Sequence, residues 1–164
     1  MEIRPYKTED IAAMRLIWND VVRADDAFPQ VTPLKDEKEA EAFFAGQDAT
    51  TVAVENSEVV GLAILHPNGS GHTAGNANAS YAVRKDQRGR HIGEALVKDS
   101  IDRARALGYH NLQFNAVLAS NRAALHLYAK LGFRSLGILK QGYRHSDGQW
   151  EDLRLFVYPL YDEA

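Results

Sequence analysis

The sequence contains no cysteine among its 164 residues. Disulfides, thiol nucleophiles and thiolate metal sites are therefore excluded from its chemistry. No apolar run approaches the roughly 20 residues of a membrane-spanning helix. The N-terminal segment MEIRPYKTED likewise has no apolar signal core. We therefore expect a cytoplasmic protein that has no membrane partner.

An excess of positive charge is also missing, since the formal net charge is −3 at pH 7. Nucleic-acid binding normally needs a basic face, so nucleic acid is not an expected partner. A content of 45% hydrophobic and 25% charged residues is ordinary for a globular protein. A chain of this length builds one substantial core, and we expect a single domain over residues 1–164.

The N-terminal half contains patterns of both strands and helices. MEIRPY indicates a short edge strand, and Thr8 is the expected N-cap of a helix with one apolar face. A second helix is expected to end at Gly46. Two β-branched runs around the polar turn ENSE predict a hairpin. The following segment HPNGSGHTAGNANAS, rich in glycine and asparagine, predicts a loop that contains Asn78.

The C-terminal half alternates strands with helices. The strand SYAV precedes a helix from Ile92 to Leu107, and the strand NLQFNAV precedes a helix that opens at Asn121. FRSLGIL and WEDLRLFVYPL indicate strands on either side of the turn-rich KQGYRHSDGQ. The order of these elements predicts an α+β domain with a mostly antiparallel sheet and helices packed against it.

The segment VRKDQRGRHIGEALV concentrates cations and glycine immediately before a helical pattern. A helix N-terminus offers unpaired backbone N–H groups, and glycine lets the backbone close around a phosphate. Arg88, Arg90 and His91 add charged donors. A solvated loop surface is the alternative, because short runs of glycine and arginine are common. The dinucleotide-binding fingerprint G-x-G-x-x-G is absent.

VRKDQRGRHIG resembles the acetyl-CoA loop of the GNAT superfamily of N-acetyltransferases. In that loop Gln or Arg is followed by two residues, Gly, one further residue, and Gly or Ala. Arg88 takes the first place and Gly93 the last, whereas His91 replaces the middle glycine. Histidine tolerates a positive φ better than most residues, so the loop can still form. A second segment, ASNRAALHLYAKLGF, resembles a later helix of the superfamily; the residues that fill its pattern are Asn121, Ala124, Tyr128, Gly132 and Phe133.

The resemblance covers about residues 59–160. It implies the GNAT fold, a mixed sheet that splays between SYAV and NLQFNAV so that pantetheine lies in the gap. It also implies direct acetyl transfer from acetyl-CoA to the amine of a small molecule, without a metal, and favours a homodimer. The implied cofactor-binding residues are Ala82, Val83, Arg88, Gly89, Arg90, His91, Ile92, Gly93, Glu94, Asn121, Ala124 and Tyr128.

Acetyl transfer from a thioester to an amine needs a polarised carbonyl group and a proton for the leaving thiolate. Backbone N–H groups around Ala82 and Val83 are expected to polarise the carbonyl. Tyr128 is the candidate general acid, because its unperturbed pKa of about 10 exceeds the thiol value of about 8.5. A core position on the apolar helix face is the alternative for Tyr128. Asn121 is expected both to cap its helix and to assist catalysis through its amide.

A general base is not obvious in the sequence. Glu151 and Asp152 are candidates that would act through a water molecule, although acids in a terminal strand are more often structural or exposed. The first helix and the loop after it are candidates for the wall of the acceptor pocket. The sequence therefore leaves deprotonation of the acceptor amine open.

The acceptor-binding candidates are asparagines. Asn115 lies in a predicted strand, where asparagine is depleted, so its side chain needs a hydrogen-bond partner. With Asn78 and Asn121 it forms a trio similar to that of fungal GNAT enzymes that acetylate proline analogues such as azetidine-2-carboxylate. The resemblance implies that Asn78 and Asn115 bind the acceptor, largely through its carboxylate. For Asn78 an ordinary turn residue is the alternative.

Other functions stay open at this point. A peptide N-terminus or an aminoglycoside is an alternative acceptor within the same class. An aminoglycoside pocket should be strongly acidic, and the acidic residues available for it are those of ADDAF with Glu37, Glu39 and Glu41. A non-catalytic sensor that binds acyl-CoA is the alternative from another class, but such a binder needs no acid at the sulfur.

Overall fold

A computed structural model describes residues 1–162 and arranges them around a seven-stranded sheet. The strands are β1 (Glu2–Pro5), β2 (Ala49–Glu55), β3 (Glu58–Pro67), β4 (Asn76–Val83), β5 (Asn111–Leu118), β6 (Arg134–Arg144) and β7 (Trp150–Pro159). The helices are α1 (Ile11–Ala24), α2 (Glu37–Ala45), α3 (Ile92–Ala106) and α4 (Arg122–Lys130). Among the described residues, none of these helices is long and apolar enough to cross a membrane.

The sheet has the order β1-β2-β3-β4-β5-β7-β6. Its neighbouring strands run antiparallel except for β4 and β5, which are parallel. These two strands pair only where Asn76 meets Asn111 and Ala77 meets Leu112. Beyond those pairs the strands separate and leave a gap in the sheet. The mixed, mostly antiparallel and splayed sheet predicted from the sequence is confirmed.

One face of the sheet is covered by α1 and α2, whose apolar side chains form a core with β2 and β3. Trp18 lies at the helical spacing predicted for α1 and is 1% exposed. Its ring centroid is 4.4 Å from that of Phe28. This contact fixes the chain that follows α1 against the core, close to the gap between β4 and β5.

The other face is covered by α3 and α4. The apolar residues predicted to line one side of α3 are buried against the sheet, and they are Leu96, Val97, Ile101 and Ala104. Gly61 on β3 permits this close approach, because a Cβ there would lie 3.1 Å from Ile92 Cγ2 and 3.2 Å from Leu96 Cδ1. The sheet thereby holds the first turn of α3 beside the open end of β4.

The predicted start of the first helix is wrong. Thr8 begins a short 3-10 helix, Thr8–Asp10, and α1 starts after it at Ile11. The Lys7 N–H group is satisfied by the Asp10 carboxylate at 2.7 Å, and the same carboxylate accepts from Arg4 Nη1 at 2.7 Å. The turn is therefore fixed by Asp10, which leaves Thr8 no capping role.

Two predicted loops are shorter than expected. β3 continues to Pro67 and β4 begins at Asn76, so Asn78 lies on a strand and not in a loop. β6 continues to Arg144 through residues predicted as a turn. In both places pairing with a neighbouring strand supplies backbone partners that local composition does not reveal. The predicted domain includes residues 163–164, which lie outside the described residues, and its extent stays a prediction.

Asn19 holds the irregular segment between α1 and α2. It is 1% exposed, and its side-chain amide accepts from the Leu34 N–H and donates to the Leu34 carbonyl, both at 2.8 Å. Replacing Asn19 with Ala leaves both groups buried and unpaired, so we expect the free energy of unfolding to fall by about 2–3 kcal/mol. Urea unfolding measures this change. Asp20→Ala at the adjacent exposed position is the control, and equal losses in the two variants would contradict the role of Asn19.

Candidate active site

The gap between β4 and β5 opens into two adjoining clefts. The larger cleft has a volume of about 780 Å³ and runs between the N-terminus of α3 and the start of α4. The smaller has a volume of about 270 Å³ and occupies the splay of the sheet. Six residues line both clefts and mark where they meet: Ala27, Tyr81, Gly93, Asn121, Ala123 and Leu127.

The N-terminus of α3 forms one end of the larger cleft. His91 precedes this helix with φ +61° and ψ 17°, which confirms that histidine takes the left-handed conformation here. Gly89 has φ +78°. Arg88, Gly89 and Gly93 line the cleft together with His91. The first-turn N–H groups of a helix have no intrahelical partner, so this end of the cleft suits an anion.

Arg90 and Glu94 differ in their relation to this cleft. Arg90 forms an ion pair with Glu55 at 2.8 Å and hydrogen-bonds to Gln87, and it lies outside the lining of the cleft. Glu94 lies in the lining and accepts from Lys130 and Lys98, each at 2.8 Å. Hydrogen bonds from Lys130 and then Lys98 lower the pKa of Glu94 to about 2. Glu94 is therefore an anion that holds Lys130 at the cleft.

Sequence reasoning missed the cations that α4 brings to the larger cleft. Arg122, His126 and Lys130 all line it. Their spacing of four residues places them on one face of a helix, and this regularity was an available signal. The cleft is therefore lined by cationic or protonatable groups on both α4 and the loop before α3, an arrangement suited to a polyanion.

The main chain of β4 forms the edge of the gap. β4 pairs with β3 from Ala77 to Val83, and the next residue, Arg84, donates its N–H to the Val60 carbonyl at 2.9 Å. Because N–H directions alternate along a strand, the N–H groups of Val83 and Tyr81 face the gap. Val83 lines the larger cleft, whereas Ala82 is buried in the core beneath α1.

Asparagine side chains meet in the smaller cleft. The amides of Asn78 and Asn115 both donate to Asn68 Oδ1, at 3.1 Å and 2.5 Å. Gln113 Nε2 donates to Asn115 Oδ1 at 2.8 Å. Asn78 and Asn115 line this cleft, and its described lining contains no charged side chain. Asn68, which joins the two, was missed because it resembles any other asparagine in a turn.

Asn121 and Tyr128, the predicted catalytic residues, both line the smaller cleft. Asn121 caps α4 as expected, with Oδ1 accepting from the Ala124 N–H at 3.2 Å. Its Nδ2 has no hydrogen-bond partner within residues 1–162, and the residue lines both clefts. Ala124 lines the smaller cleft together with Tyr128.

Tyr128 is 9% exposed and packs within an aromatic cluster, with its ring centroid 4.6 Å from Phe114 and 5.3 Å from Phe133. Burial raises the pKa of its phenol. In the described part of the chain its hydroxyl makes no hydrogen bond, and the side chain lines the smaller cleft. Tyr128 is thus a protonated donor at the cleft as well as a core residue.

The remaining acids lie apart from the smaller cleft. Both oxygens of Glu151 are engaged, by the Ser120 N–H at 2.7 Å and by His145 Nε2 at 2.8 Å. Asp152 accepts from Lys140 and from the Gln141 N–H, each at 2.9 Å. Asp26 lines the larger cleft, while the acidic residues of α2 named above line neither cleft.

Comparison with known proteins shows the family. The chain matches the acetyltransferase (GNAT) family over residues 14–133. It is similar to L-methionine sulfoximine/L-methionine sulfone acetyltransferase of Pseudomonas aeruginosa, with 31% identity over 157 residues that cover 92% of this chain and 90% of the relative.

Solved structures agree with this assignment. Ribosomal-protein-alanine N-acetyltransferase from Brucella melitensis superposes with a TM-score of 0.90 at 27% identity, covering 97% of this chain and 99% of that one. YncA from Salmonella typhimurium, solved with its cofactor acetyl-CoA, superposes with a TM-score of 0.90 at 25% identity. The match covers 100% of this chain and 96% of YncA. Since both the fold and most of the sequence align with acetyltransferases, this chain belongs to the acetyltransferase (GNAT) family and is an N-acetyltransferase.

Proposed function

We propose that this enzyme transfers an acetyl group from acetyl-CoA to the amine of a small amino-acid-like molecule, a class that includes amino acids and proline analogues. The observation that carries the proposal is the junction of two different clefts at Asn121, with Tyr128 in the lining of the smaller cleft. One cleft is lined by a helix N-terminus and by more cations than carboxylates, whereas the other is small, contains no charged side chain in its described lining and is lined in part by asparagine amides.

The larger cleft fits the diphosphate of acetyl-CoA. Arg88, Gly89 and the first turn of α3 offer charged and main-chain donors, and Lys130 faces them from α4. When bound, acetyl-CoA supplies the activated thioester. The diphosphate-binding residues are Arg88, Gly89, His91, Ile92, Gly93, Arg122 and Lys130.

Groups in the lining of the two clefts supply the chemistry: Val83 in the larger, Tyr128 in the smaller and Asn121 in both. The Val83 N–H group polarises the carbonyl oxygen, and one preorganised donor of this kind contributes on the order of 3 kcal/mol. Tyr128 donates its proton to the departing sulfur, since the raised pKa of its buried phenol keeps it protonated. The acceptor attacks as the neutral amine and loses one proton as the amide forms, and that proton restores the phenol. The unpaired Nδ2 of Asn121 orients the reacting groups from the N-terminus of α4.

The smaller cleft suits the acceptor's carboxylate. Asn78 and Asn115 each have an amide that can donate to an anion, and Asn68 orients both by accepting from them. Neutral amides hold a carboxylate without adding a charge that would attract any anion. The Pseudomonas aeruginosa relative is named for the acetylation of amino-acid derivatives, which supports an acceptor of this class.

Other acceptors fit the same cleft less well. An aminoglycoside carries several cations, yet the described lining of the smaller cleft contains no carboxylate. The name of the Brucella structure favours a peptide N-terminus as second candidate. Against it, the smaller cleft, which Phe28 and Pro29 help to line, has a volume of only about 270 Å³. A sensor without turnover has no use for the donor that Tyr128 provides.

The test is release of free thiol from acetyl-CoA across a panel of amino acids, their sulfone and sulfoximine derivatives, proline analogues, polyamines, aminoglycosides and short peptides. We expect turnover with compounds that carry both an amine and a nearby carboxylate. Methyl esters of the active compounds should react poorly, because the ester removes the anion. Preference for peptides or polyamines, or equal turnover of acid and ester, would contradict the proposal.

The two arginines of the loop before α3 should differ in their effect on acetyl-CoA affinity. Arg88 lines the larger cleft, whereas Arg90 pairs with Glu55 outside it. We expect Arg88→Ala to raise the dissociation constant about tenfold and to weaken its salt dependence. Arg90→Ala should change it less than about twofold. Calorimetric titration at low and high ionic strength measures both, and equal effects would contradict the assignment of Arg88.

A further inference from the structure

A polar network beside the clefts joins segments that are distant in sequence, and its Ser120 lines the larger cleft. The end of α1 contributes Asp25, the hairpin of β6 and β7 contributes Tyr143, His145 and Glu151, and the turn before α4 contributes Ser120. None of the histidine, tyrosine or carboxylate groups in this network lines either cleft. The mechanism proposed above therefore makes no use of them.

His145 stands at the centre of this network. Its Nε2 is 2.8 Å from Glu151 Oε2. Its Nδ1 is 3.2 Å from the Asp25 carbonyl oxygen and 3.6 Å from Asp25 Oδ2. Both ring nitrogens thus face oxygens that only accept hydrogen bonds. Neutral imidazole carries one N–H group, so only the imidazolium can donate on both sides.

Asp25 connects this histidine to residues 25–29, which form one wall of the smaller cleft, the proposed acceptor site. It ends α1 in the left-handed conformation with φ +54°. Its carboxylate accepts from the Tyr143 hydroxyl at 2.9 Å and from the Ser146 N–H at 2.8 Å. The Tyr143 hydroxyl also lies 3.0 Å from the Phe28 carbonyl oxygen. The chain from Asp25 to Phe28 is thereby tied to the hairpin of β6 and β7.

The tied segment borders both clefts. Asp26 and Ala27 line the larger cleft, and Ala27, Phe28 and Pro29 line the smaller one. On the other side of His145, the second oxygen of Glu151 accepts from the Ser120 N–H at 2.7 Å. Ser120 immediately precedes Asn121, so the same network also holds the turn that carries Asn121.

We propose that His145, as an imidazolium, is a positioning residue that holds residues 25–29 as the wall of the acceptor cleft and thereby sets acceptor affinity. Loss of its proton leaves one ring nitrogen facing an acceptor oxygen without a hydrogen. The wall then loses one of its attachments to the β6–β7 hairpin. The attachment of residues 25–29 to the β6–β7 hairpin does not depend on the proposed function, whereas its effect on acceptor affinity rests on that function.

The direction of the pH effect follows from the surrounding groups. The hydrogen bond to Glu151, opposed in part by burial, raises the pKa of His145. At pH values below the ordinary histidine pKa of about 6.5, the attachment of residues 25–29 is therefore complete. It is lost as the pH rises through the raised pKa of His145.

The other titratable groups that face His145 keep their charge state over this range. Hydrogen bonds from Ser146 and Tyr143 lower the pKa of Asp25, while burial and the bond to Asp25 raise that of Tyr143 to about 12. For Glu151, burial opposes hydrogen bonds from Ser120 and His145, and the bonds prevail, so its pKa is lowered. Asp26, next along the chain, adds a further acidic side chain near Tyr143.

The first arm of the test uses the chain without substrates. Amide exchange, corrected for its intrinsic pH dependence, is followed by NMR at the Ser146 and Ser120 N–H groups in the wild type, His145→Gln and the exposed control His72→Gln. We expect protection in the wild type and in His72→Gln to fall about tenfold as pH rises through the His145 titration. In His145→Gln it should be low and independent of pH. The proposal would be overturned if amide-exchange protection changed neither with pH nor on the substitution His145→Gln.

The second arm measures acceptor KM. The ratio of KM between His145→Gln and wild type cancels the titration of the acceptor amine itself. We expect a ratio of about five to ten at low pH, falling towards one at high pH, with acetyl-CoA affinity unchanged. A flat ratio near one would overturn the effect on the acceptor. If the enzyme turned over none of the amines but the exchange result was as expected, the proposed function would be refuted. The attachment of residues 25–29 by His145 would still be supported.

Discussion

Replacing Tyr128 with phenylalanine lowers kcat about a hundredfold and leaves the acetyl-CoA dissociation constant within about twofold, because general acid catalysis typically contributes a factor of this size or more. The substitution keeps the ring and its contacts with the aromatic rings of Phe114, Phe133 and Phe156. It removes only the hydroxyl, which has no hydrogen-bond partner in the described residues. Steady-state thiol release and calorimetric titration measure the two quantities.

Tyr158→Phe is the matched control for this experiment. Tyr158 belongs to the same aromatic cluster, with its ring centroid 5.3 Å from Phe133, but it lies outside the lining of both clefts. It should retain wild-type kcat. If Tyr128→Phe also retains wild-type kcat, Tyr128 is only a core residue and the leaving thiolate receives its proton from another group.

Replacing Asn115 with alanine should raise acceptor KM about 10- to 100-fold, the range expected when a hydrogen bond to a charged group is lost. The same change removes the donor to Asn68, so Asn78 also loses part of its orientation. Turnover at saturating acceptor and acetyl-CoA affinity should change little. Steady-state kinetics with the amino-acid acceptor found in the panel provide the measurement.

Asn111→Ala separates this effect from a general weakening of β5. Asn111 lies on the same strand, and its amide donates to Asn76 at 2.9 Å where β4 and β5 are still paired. It lines neither cleft, so its substitution should leave acceptor KM near the wild-type value. If Asn115→Ala weakens acetyl-CoA binding and spares acceptor KM, Asn115 contacts the other substrate.

Features encoded by neighbouring residues were predictable from the sequence. The apolar spacing of α1 and α3, the end of α2 at Gly46 and the cap that Asn121 provides for α4 all follow from interactions within a few residues. The left-handed conformation of His91 is equally local, because histidine accepts a positive φ and a helix begins directly after it.

Features that depend on distant pairing were not predictable in this way. Asn68 joins Asn78 and Asn115 only because β3, β4 and β5 bring the three side chains together. The contact between His145 and Asp25 spans 120 positions. Local composition favoured a loop at Asn78, and pairing with β3 made it a strand. Local sequence patterns therefore do not predict features whose partners are set by tertiary contacts.

The proposed mechanism requires that acetyl-CoA binds with its diphosphate at the first turn of α3 and its sulfur at Tyr128. A crystal structure of the enzyme with coenzyme A tests this most directly. We predict that the Tyr128 hydroxyl lies within about 3.5 Å of the sulfur, or is joined to it by one water molecule. A diphosphate bound away from the N-terminus of α3, or a sulfur beyond the reach of Tyr128, would contradict the mechanism.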